Sequence, residues 1–449
     1  MSELHNVQIP ASSDKGGIMK LGTFDKSHGG RSVPLLYFYP TPLSPTALLT
    51  SLSQTLIHYP FYSGRYTPPD QSNPVPFPQS IELSNAGVPV EVVESLLTMA
   101  EATSYLSSVH SKTAHEPYAP SKPPMDPDKV SPEAPILSVK ITTFKEGTGT
   151  CLSILFQHFV SDANGAMTFM THWSQIHSSL PPLPTPPPPL QDRDMISLNP
   201  PPPLPSTLTN LLSSFPLSNP PVPGFMSDAP KFFGASTTCY PIPSTRCALA
   251  KKKAAQNLKE GQFVSTDDVI LAHVWKAMCF VRCKQLEVDE SDPRPTIIHR
   301  ALNLRARSHP PPPPAFPGNL VSNVSTSLPI NELLSMSATE VALKLRLSVS
   351  EMTPDIISAV QNLHASLQSE GKKPFCVFPS AFAFLNSSWR CGWEDAVFDG
   401  AKPTLFDQGC HVPIVSVFTN RPEKDGVNVY FTGTEAACKH FNELLSASL

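Results

Sequence analysis

The chain has 449 residues, 40% of them hydrophobic and 16% charged, with a formal net charge of -4. That length exceeds one ordinary core and predicts two domains of roughly 200 residues each. The balance excludes a basic nucleic-acid footprint, and no apolar run approaches the roughly 20 residues of a membrane span.

The N-terminus, Met1 to His5, lacks the basic flank and apolar core of a signal peptide. A cytoplasmic monomer is the expectation. Ser44-Pro45 opens a helix, with Ser44 as cap and Pro45 in the first turn. Leu48, Leu49, Leu52 and Leu56 give that helix an apolar stripe. Two strands are expected next, Ile136–Phe144 and Cys151–Gln157, joined by the hairpin loop Lys145–Thr150. Within the second, Cys151–Phe156 is the more uniformly apolar, as a central strand is. After His158 the chain turns into a helix carrying Met167, Met170, Trp173 and Ile176.

Proline is the compositional outlier, with 53 residues, 16 of them between Pro181 and Pro223. Such density forbids helix and central strand. It divides the chain into a domain over 1–180, a crossover linker over 181–230 and a second domain over 231–449. A short helical piece at Ser206–Ser214 is compatible with the linker. In the second half, Ser265-Thr266-Asp267-Asp268 reads as a capped helix start. Ile297–Asn303, His411–Thr419 and Val427–Thr432 read as strands, and Thr434 to Leu445 as a terminal helix. Mixed strands and helices make the fold class α/β (α+β). The nine cysteines are scattered, without a His/Cys pattern at zinc spacing, so no metal is expected.

The chemistry concentrates at Gln157-His158-Phe159-Val160-Ser161-Asp162-Ala163-Asn164-Gly165. A histidine leaving a buried strand reaches a cleft while its backbone stays fixed, which suits a general base. Asp162 has two open roles: orienting the imidazole as in a triad, or pairing with a basic residue to lock the loop. No Gly-x-Ser-x-Gly elbow exists, and Ser161 suits a turn better than a nucleophile. Taken alone, His-x-x-x-Asp is common by chance, and a histidine after a strand is more often a core residue than a catalyst.

Further segments narrow the choice. Leu36-Tyr37-Phe38-Tyr39-Pro40, Leu49 to Leu56, Tyr59 to Arg65, His158 to Asp162, Phe263 to Asp268, Leu302 to Arg307 with Gly318-Asn319, Ser387-Ser388-Trp389-Arg390 and Phe398 to Pro403 occur in one order. In that order the chain resembles the BAHD-type acyltransferases, the coenzyme A-dependent class that includes fungal trichothecene acetyltransferase-like enzymes. The resemblance implies two similar-sized mixed-sheet domains of the chloramphenicol acetyltransferase-like type, with an active-site channel between them. It implies transfer of an acyl group, acetyl by default, from acyl-CoA to a hydroxyl or amine of a small molecule in secondary metabolism. His158 is then the base, and Asp162 points away and pairs with an arginine, for which Arg305 is the candidate. Acyl-CoA is a co-substrate and no cofactor is bound permanently.

Ser265, Thr266, Ser387, Ser388 and Arg390 are candidates for the donor's phosphates, although capping explains Ser265 and Thr266 as well. Two departures stand out: Ala163 follows Asp162 where the family has glycine, and the segment 397–403 lacks the family's tryptophan. The rival readings are a condensation-domain-like enzyme, which usually has a second histidine where Gln157 stands, and a silent binding protein on the same scaffold.

Overall fold

Sheet order shows how the two halves are made. The computed structural model describes residues 2–13, 16–27, 31–68, 77–107, 109–121, 131–178, 193–194, 223–313, 315–371, 380–409 and 411–449. The first sheet has six strands in the order β1 (Ser2–Val7), β3 (Val88–Glu94), β4 (Leu137–Thr143), β5 (Thr150–Gln157), β2 (Ser32–Tyr39) and β10 (Leu405–Asp407). The second has seven: β8 (Val321–Pro329), β7 (Pro295–Asn303), β9 (Ala383–Trp389), β11 (Val415–Asn420), β12 (Val427–Gly433), β6 (Ser236–Ile242) and the two-residue strand His110–Ser111. Both sheets are mixed: β3 runs parallel to β4, and β7, β9 and β11 run parallel to one another.

β5 is buried along all eight residues, as suits the mostly apolar run of a central strand. It lies between β4 and β2 in antiparallel register, with Ser32 opposite Gln157. Over it packs α1 (Pro45–Leu56), whose Ser44 hydroxyl accepts from the Ala47 amide. Beside α1 lies α2 (Ala163–His177). Its Trp173 indole donates to Ser51 Oγ at 2.9 Å, a buried bond that ties the two helices.

In the second half, helix α3 (Pro223–Phe232) precedes β6 and starts inside the span assigned to the linker. α4 (Ser244–Gln256) follows and carries the lysine run; Lys252 and Lys253 are exposed there. The 21-residue α5 (Thr266–Leu286) is the central helix, buried on most faces. Its Trp275 indole donates to Thr296 Oγ1 at 3.2 Å. α6 (Ala338–Ser350), α7 (Pro354–Ser369) and α8 (Glu435–Ser448) complete the layers.

The anticipated strand at His411–Thr419 starts only at Val415, because His411 is held four residues back by Asp407. The proposed helix at Ser206–Ser214 lies outside the described residues. Between 181 and 222 two residues are described, and they are anchored rather than loose. Arg193 is buried against Asp25, and Asp194 accepts from the Thr23 amide at 2.7 Å and from Gln361 Nε2 at 3.0 Å.

One apolar core joins the sheets. It runs from Leu35, Ile154 and Phe156 through Phe159 and Trp173 to Leu304, Phe316, Leu320, Val324 and Trp389. A second core is built entirely from the C-terminal half, around α5 and α8. The loop that carries His158 sits where the first core meets the second half.

Candidate active site

His158 is the first residue after β5 and is half-buried. Its amide donates to Arg31 O at 2.8 Å, which continues the β5–β2 ladder by one step. The ring is 3.1 Å from Asn319 through Nδ1 and Oδ1. The orientation of the Asn319 amide is fixed by its other contacts. Its Nδ2 donates to His158 O at 2.8 Å and to Asp25 Oδ1 at 2.9 Å, both pure acceptors. Oδ1 is therefore the acceptor toward His158, so Nδ1 carries the proton of the neutral ring. The lone pair of the neutral imidazole is then on Nε2.

Behind Asn319 lies a buried polar network. Asp25 Oδ1 accepts from the Asn319 amide at 3.0 Å and from Arg193 Nη2 at 3.1 Å; its Oδ2 accepts from Arg193 Nε at 2.6 Å and from the Gly22 amide at 2.9 Å. The Arg193 guanidinium also donates to Val160 O, inside the His158 loop. It faces the rings of Phe61 and Phe316 at 5.4 and 6.0 Å. Every polar partner in this chain of contacts is matched, which makes it rigid.

Asp162 does not touch His158. Its carboxylate accepts from Arg305 Nη1 at 2.8 Å and Nη2 at 3.0 Å, a bidentate pair. It also accepts from the Leu320 amide at 2.9 Å and the Gly165 amide at 2.9 Å, the latter as the cap of α2. Four donors saturate the carboxylate. Burial by itself raises its pKa; Arg305 and the amides of Leu320 and Gly165 more than offset that and hold it below the usual value. Of the two roles left open for Asp162, this geometry is the pairing one. Arg305 further donates to Phe316 O and Gly318 O at 3.2 and 2.7 Å. One guanidinium thus ties the His158 loop to the stretch before β8.

The displaced glycine has a local cause. A Cβ on Gly165 would lie 2.2 Å from Pro317 O and 2.4 Å from Ser161 Oγ. The first turn of α2 abuts the Pro317 backbone at residue 165, so the glycine stands there rather than at 163. The Ser161 hydroxyl donates to Pro317 O at 2.7 Å and is wholly buried, as a turn residue would be.

The segment 397–403 is a tight hairpin. Phe398 and Ala401 exchange both backbone hydrogen bonds, at 3.1 and 2.8 Å. Asp399 and Gly400 between them have φ of 51° and 76°. Two positive φ angles make a type I′ turn, for which Asp-Gly is a preferred pair. Phe398 packs edge-on against Tyr39 and Trp173. The segment is therefore a packing element of the first half.

Of the residues named for the donor, Ser265, Thr266 and Arg390 lie at the start of α5. Ser265 donates to Asp268 Oδ2 at 2.7 Å and accepts from the Asp268 amide at 3.2 Å. This capping box uses the hydroxyl, the capping role expected for Ser265 beside its candidacy for the donor's phosphates. Arg390 is paired with Asp267 and donates to Asn420 Oδ1 at 3.0 Å. Thr266 is half-buried at the first helical position. Ser387 and Ser388 lie half-buried on β9. Strand alternation puts Ser387 on the face of Trp389, toward the first core, and Ser388 on the face of Phe384, toward the second. Arg300 and Arg346 both pair with Asp268.

Asn319, Asp25 and Arg193 are the residues of this site that the sequence reading did not assign. Asn319 sits in the quoted Gly318-Asn319 pair, and Asp25 shows only the capping spacing from Gly22. Arg193 has no signal, being an isolated charge in a proline-rich stretch.

A family model described as "Transferase family" matches residues 3–447. Tryptamine hydroxycinnamoyltransferase 2 of Oryza sativa subsp. japonica is 23% identical over 78% of this chain and 74% of its own. The crystal structure of vinorine synthase superposes with a TM-score of 0.71 at 19% identity, over 99% of this chain and 98% of that one. F. graminearum TRI101, complexed with coenzyme A and T-2 mycotoxin, does so with a TM-score of 0.71 at 18% identity, over 96% and 97%. Those two likenesses establish the shared two-domain α/β fold. With the family match spanning nearly the whole chain, the protein belongs to the BAHD transferase family of acyltransferases.

Proposed function

We propose that the protein transfers an acyl group from acyl-CoA to the hydroxyl of a small molecule, with His158 Nε2 as general base. The observation that carries this reading is the Asn319 contact: it keeps the ring proton on Nδ1 and leaves Nε2 as the acceptor. Nε2 takes the proton of the acceptor hydroxyl as its oxygen attacks the thioester carbonyl. The tetrahedral intermediate collapses, the C–S bond breaks, and the imidazolium returns the proton to the departing thiolate. Asp162 and Arg305 hold the loop and take no proton.

We propose the start of α5 as the place that meets the donor's phosphates. There three guanidiniums, Arg300, Arg346 and Arg390, face two carboxylates, Asp267 and Asp268, leaving an excess of positive charge beside a helix N-terminus. The bound coenzyme A in the TRI101 structure supports this choice of donor. Acetyl is the proposed acyl group and secondary metabolism the setting. An amine acceptor is the second form of the same chemistry, favoured by relatives named as tryptamine acyltransferases. The enzyme is read as a cytoplasmic monomer whose two domains divide at the proline-rich crossover.

The test is incubation of the purified chain with a panel of acyl-CoA esters and alcohols or amines. Thiol release is followed together with the mass of the product. Thiol release that depends on both acceptor and enzyme is expected; none with any pair, or full activity in His158→Ala, overturns the reading.

A further inference from the structure

Away from His158, where the chain passes between the sheets, three buried ligating side chains converge. His115 follows the edge strand of the second sheet, Asp407 ends β10 of the first, and His411 stands four residues on, where the chain returns to the second sheet. One ligand atom from each lies within 4.8 Å of the other two. Among the described residues no other group of three or more His, Cys, Asp or Glu comes so close. All are buried: His115 is 4% exposed, and the side chains of His411 and Asp407 are 1% and 0% exposed.

An ion pair between Asp407 and His411 accounts for only part of this. His411 Nε2 is 3.1 Å from Asp407 Oδ1, an approach that a shared cation explains as well as a hydrogen bond does. An ion pair also gives no reason for a second imidazole. The approach of that ring depends on Gly409, whose φ is +55° and where a Cβ would lie 3.0 Å from His115 Cδ2. The carboxylate is oriented from behind: the Gly409 amide donates to Oδ1 at 2.9 Å and the Tyr105 hydroxyl to Oδ2 at 3.3 Å. Held ligands backed by outer hydrogen bonds are how metal sites are made.

We propose that His115, Asp407 and His411 bind one divalent transition-metal ion, Zn2+ being the best match, at a structural site that ties the two sheets together. Two imidazoles and one carboxylate suit zinc and its neighbours; calcium and magnesium require oxygen donors. Bonds of about 2.1 Å in a tetrahedral shell put ligand atoms about 3.4 Å apart. Asp407 Oδ1 and His411 Nε2 are 3.1 Å apart and all three ligand atoms lie within 4.8 Å of one another, so a small inward turn of one ring brings them to three corners of such a shell, the fourth being left for a water. The burial of all three residues excludes substrate and makes the role structural. Only Asp407 and His411 are close in sequence, so no spacing motif announces the site.

The test uses the tag-free full chain, dialysed against chelator, loaded with Zn2+ and desalted, with bound metal measured by mass spectrometry. One equivalent is expected in the wild type and in His158→Ala, and its loss in His411→Gln and Asp407→Asn. Loss in these variants means something only if they fold, so the wild type alone gives a second readout. Added Co2+ is expected to produce an intense visible absorption band that Zn2+ abolishes. Failure of the wild type to retain zinc, or equal retention by folded His411→Gln, overturns the proposal.

Discussion

Two helix starts in this molecule are built alike and do different things. At α2, Asp162 caps the helix and is clamped by Arg305; at α5, Asp268 closes a capping box and is clamped by Arg300 and Arg346. Arg300 lies on β7 and Arg305 just beyond it, so one stretch of chain supplies an arginine to each. In both, burial raises the carboxyl pKa, and the arginine contacts together with the hydrogen bonds from Leu320 and Gly165 to Asp162, and from Ser265 to Asp268, more than reverse it. The difference is reach. The partners of Asp268 all come from the second half. Those of Asp162 come from across the molecule, and the same loop holds His158 against Asn319, Asp25 and Arg193. A clamp within one half stabilises that half; a clamp between halves also sets the position of a reacting group.

The sharpest test of that contrast is His158→Ala. It removes the group that the inter-half clamp positions, and turnover is expected to fall by about 10²–10⁴. Thiol release at saturating donor, with a thermal melt to confirm folding, is the check. Asp162→Asn is next. It leaves the Arg305 charge buried without its partner, which typically costs about 3–5 kcal/mol. Denaturant unfolding measures the loss, and kcat per folded molecule is expected to fall with it. Asp268→Asn is expected to cost stability in the same way but to raise KM for acyl-CoA while kcat stays near wild type. Equal kcat losses in both variants would erase the distinction between the two clamps.

The Asp162 clamp also has a pH signature. The folded pKa lies below the unfolded value of about 3.9. The stabilisation is complete above that unfolded value and is lost as pH falls through the depressed folded one. Asp162→Asn is expected to flatten the acid limb of the stability curve, measured as denaturation midpoint against pH.

Asn319→Ala is milder. It removes three side-chain hydrogen bonds, of which the one to His158 Nδ1, worth about 0.5–1.5 kcal/mol net, bears on the ring; kcat is expected to fall by up to roughly tenfold and the KM for acyl-CoA to stay unchanged. A KM rise without a kcat change would make Asn319 a binding residue instead. The smallest effect on activity belongs to Asp399→Ala. An alanine at φ 51° costs roughly 1–2 kcal/mol, and activity per folded molecule should not change.

Local physics explains what the sequence made legible. The capped start of α1, the hairpin before His158 and the capping box of α5 each depend on a few adjacent residues, and the strands at 137–143 and 150–157 follow from their apolar patterns. Arg305 was nameable as the partner of Asp162 because the resemblance brought its block with it. What stayed hidden depends on long-range contacts. Asn319 meets His158 across 161 positions and Arg193 meets Asp25 across 168. No period or spacing encodes such meetings. Ser265 shows the local case again: its place before Thr266-Asp267-Asp268 made the cap legible, and the hydroxyl donates to Asp268.

The sheets have traded strands. Leu405–Asp407 comes from the C-terminal half yet bonds to Leu36–Phe38 of the first sheet, while His110–Ser111 edges the second against Ser236 and Thr237. A gene cut in the proline-rich crossover would therefore yield two fragments, each missing a border strand and baring an unpaired edge that invites aggregation. Made separately they should precipitate; made together they should rescue one another. Fragment complementation, not independent expression, is the way to engineer this enzyme in pieces.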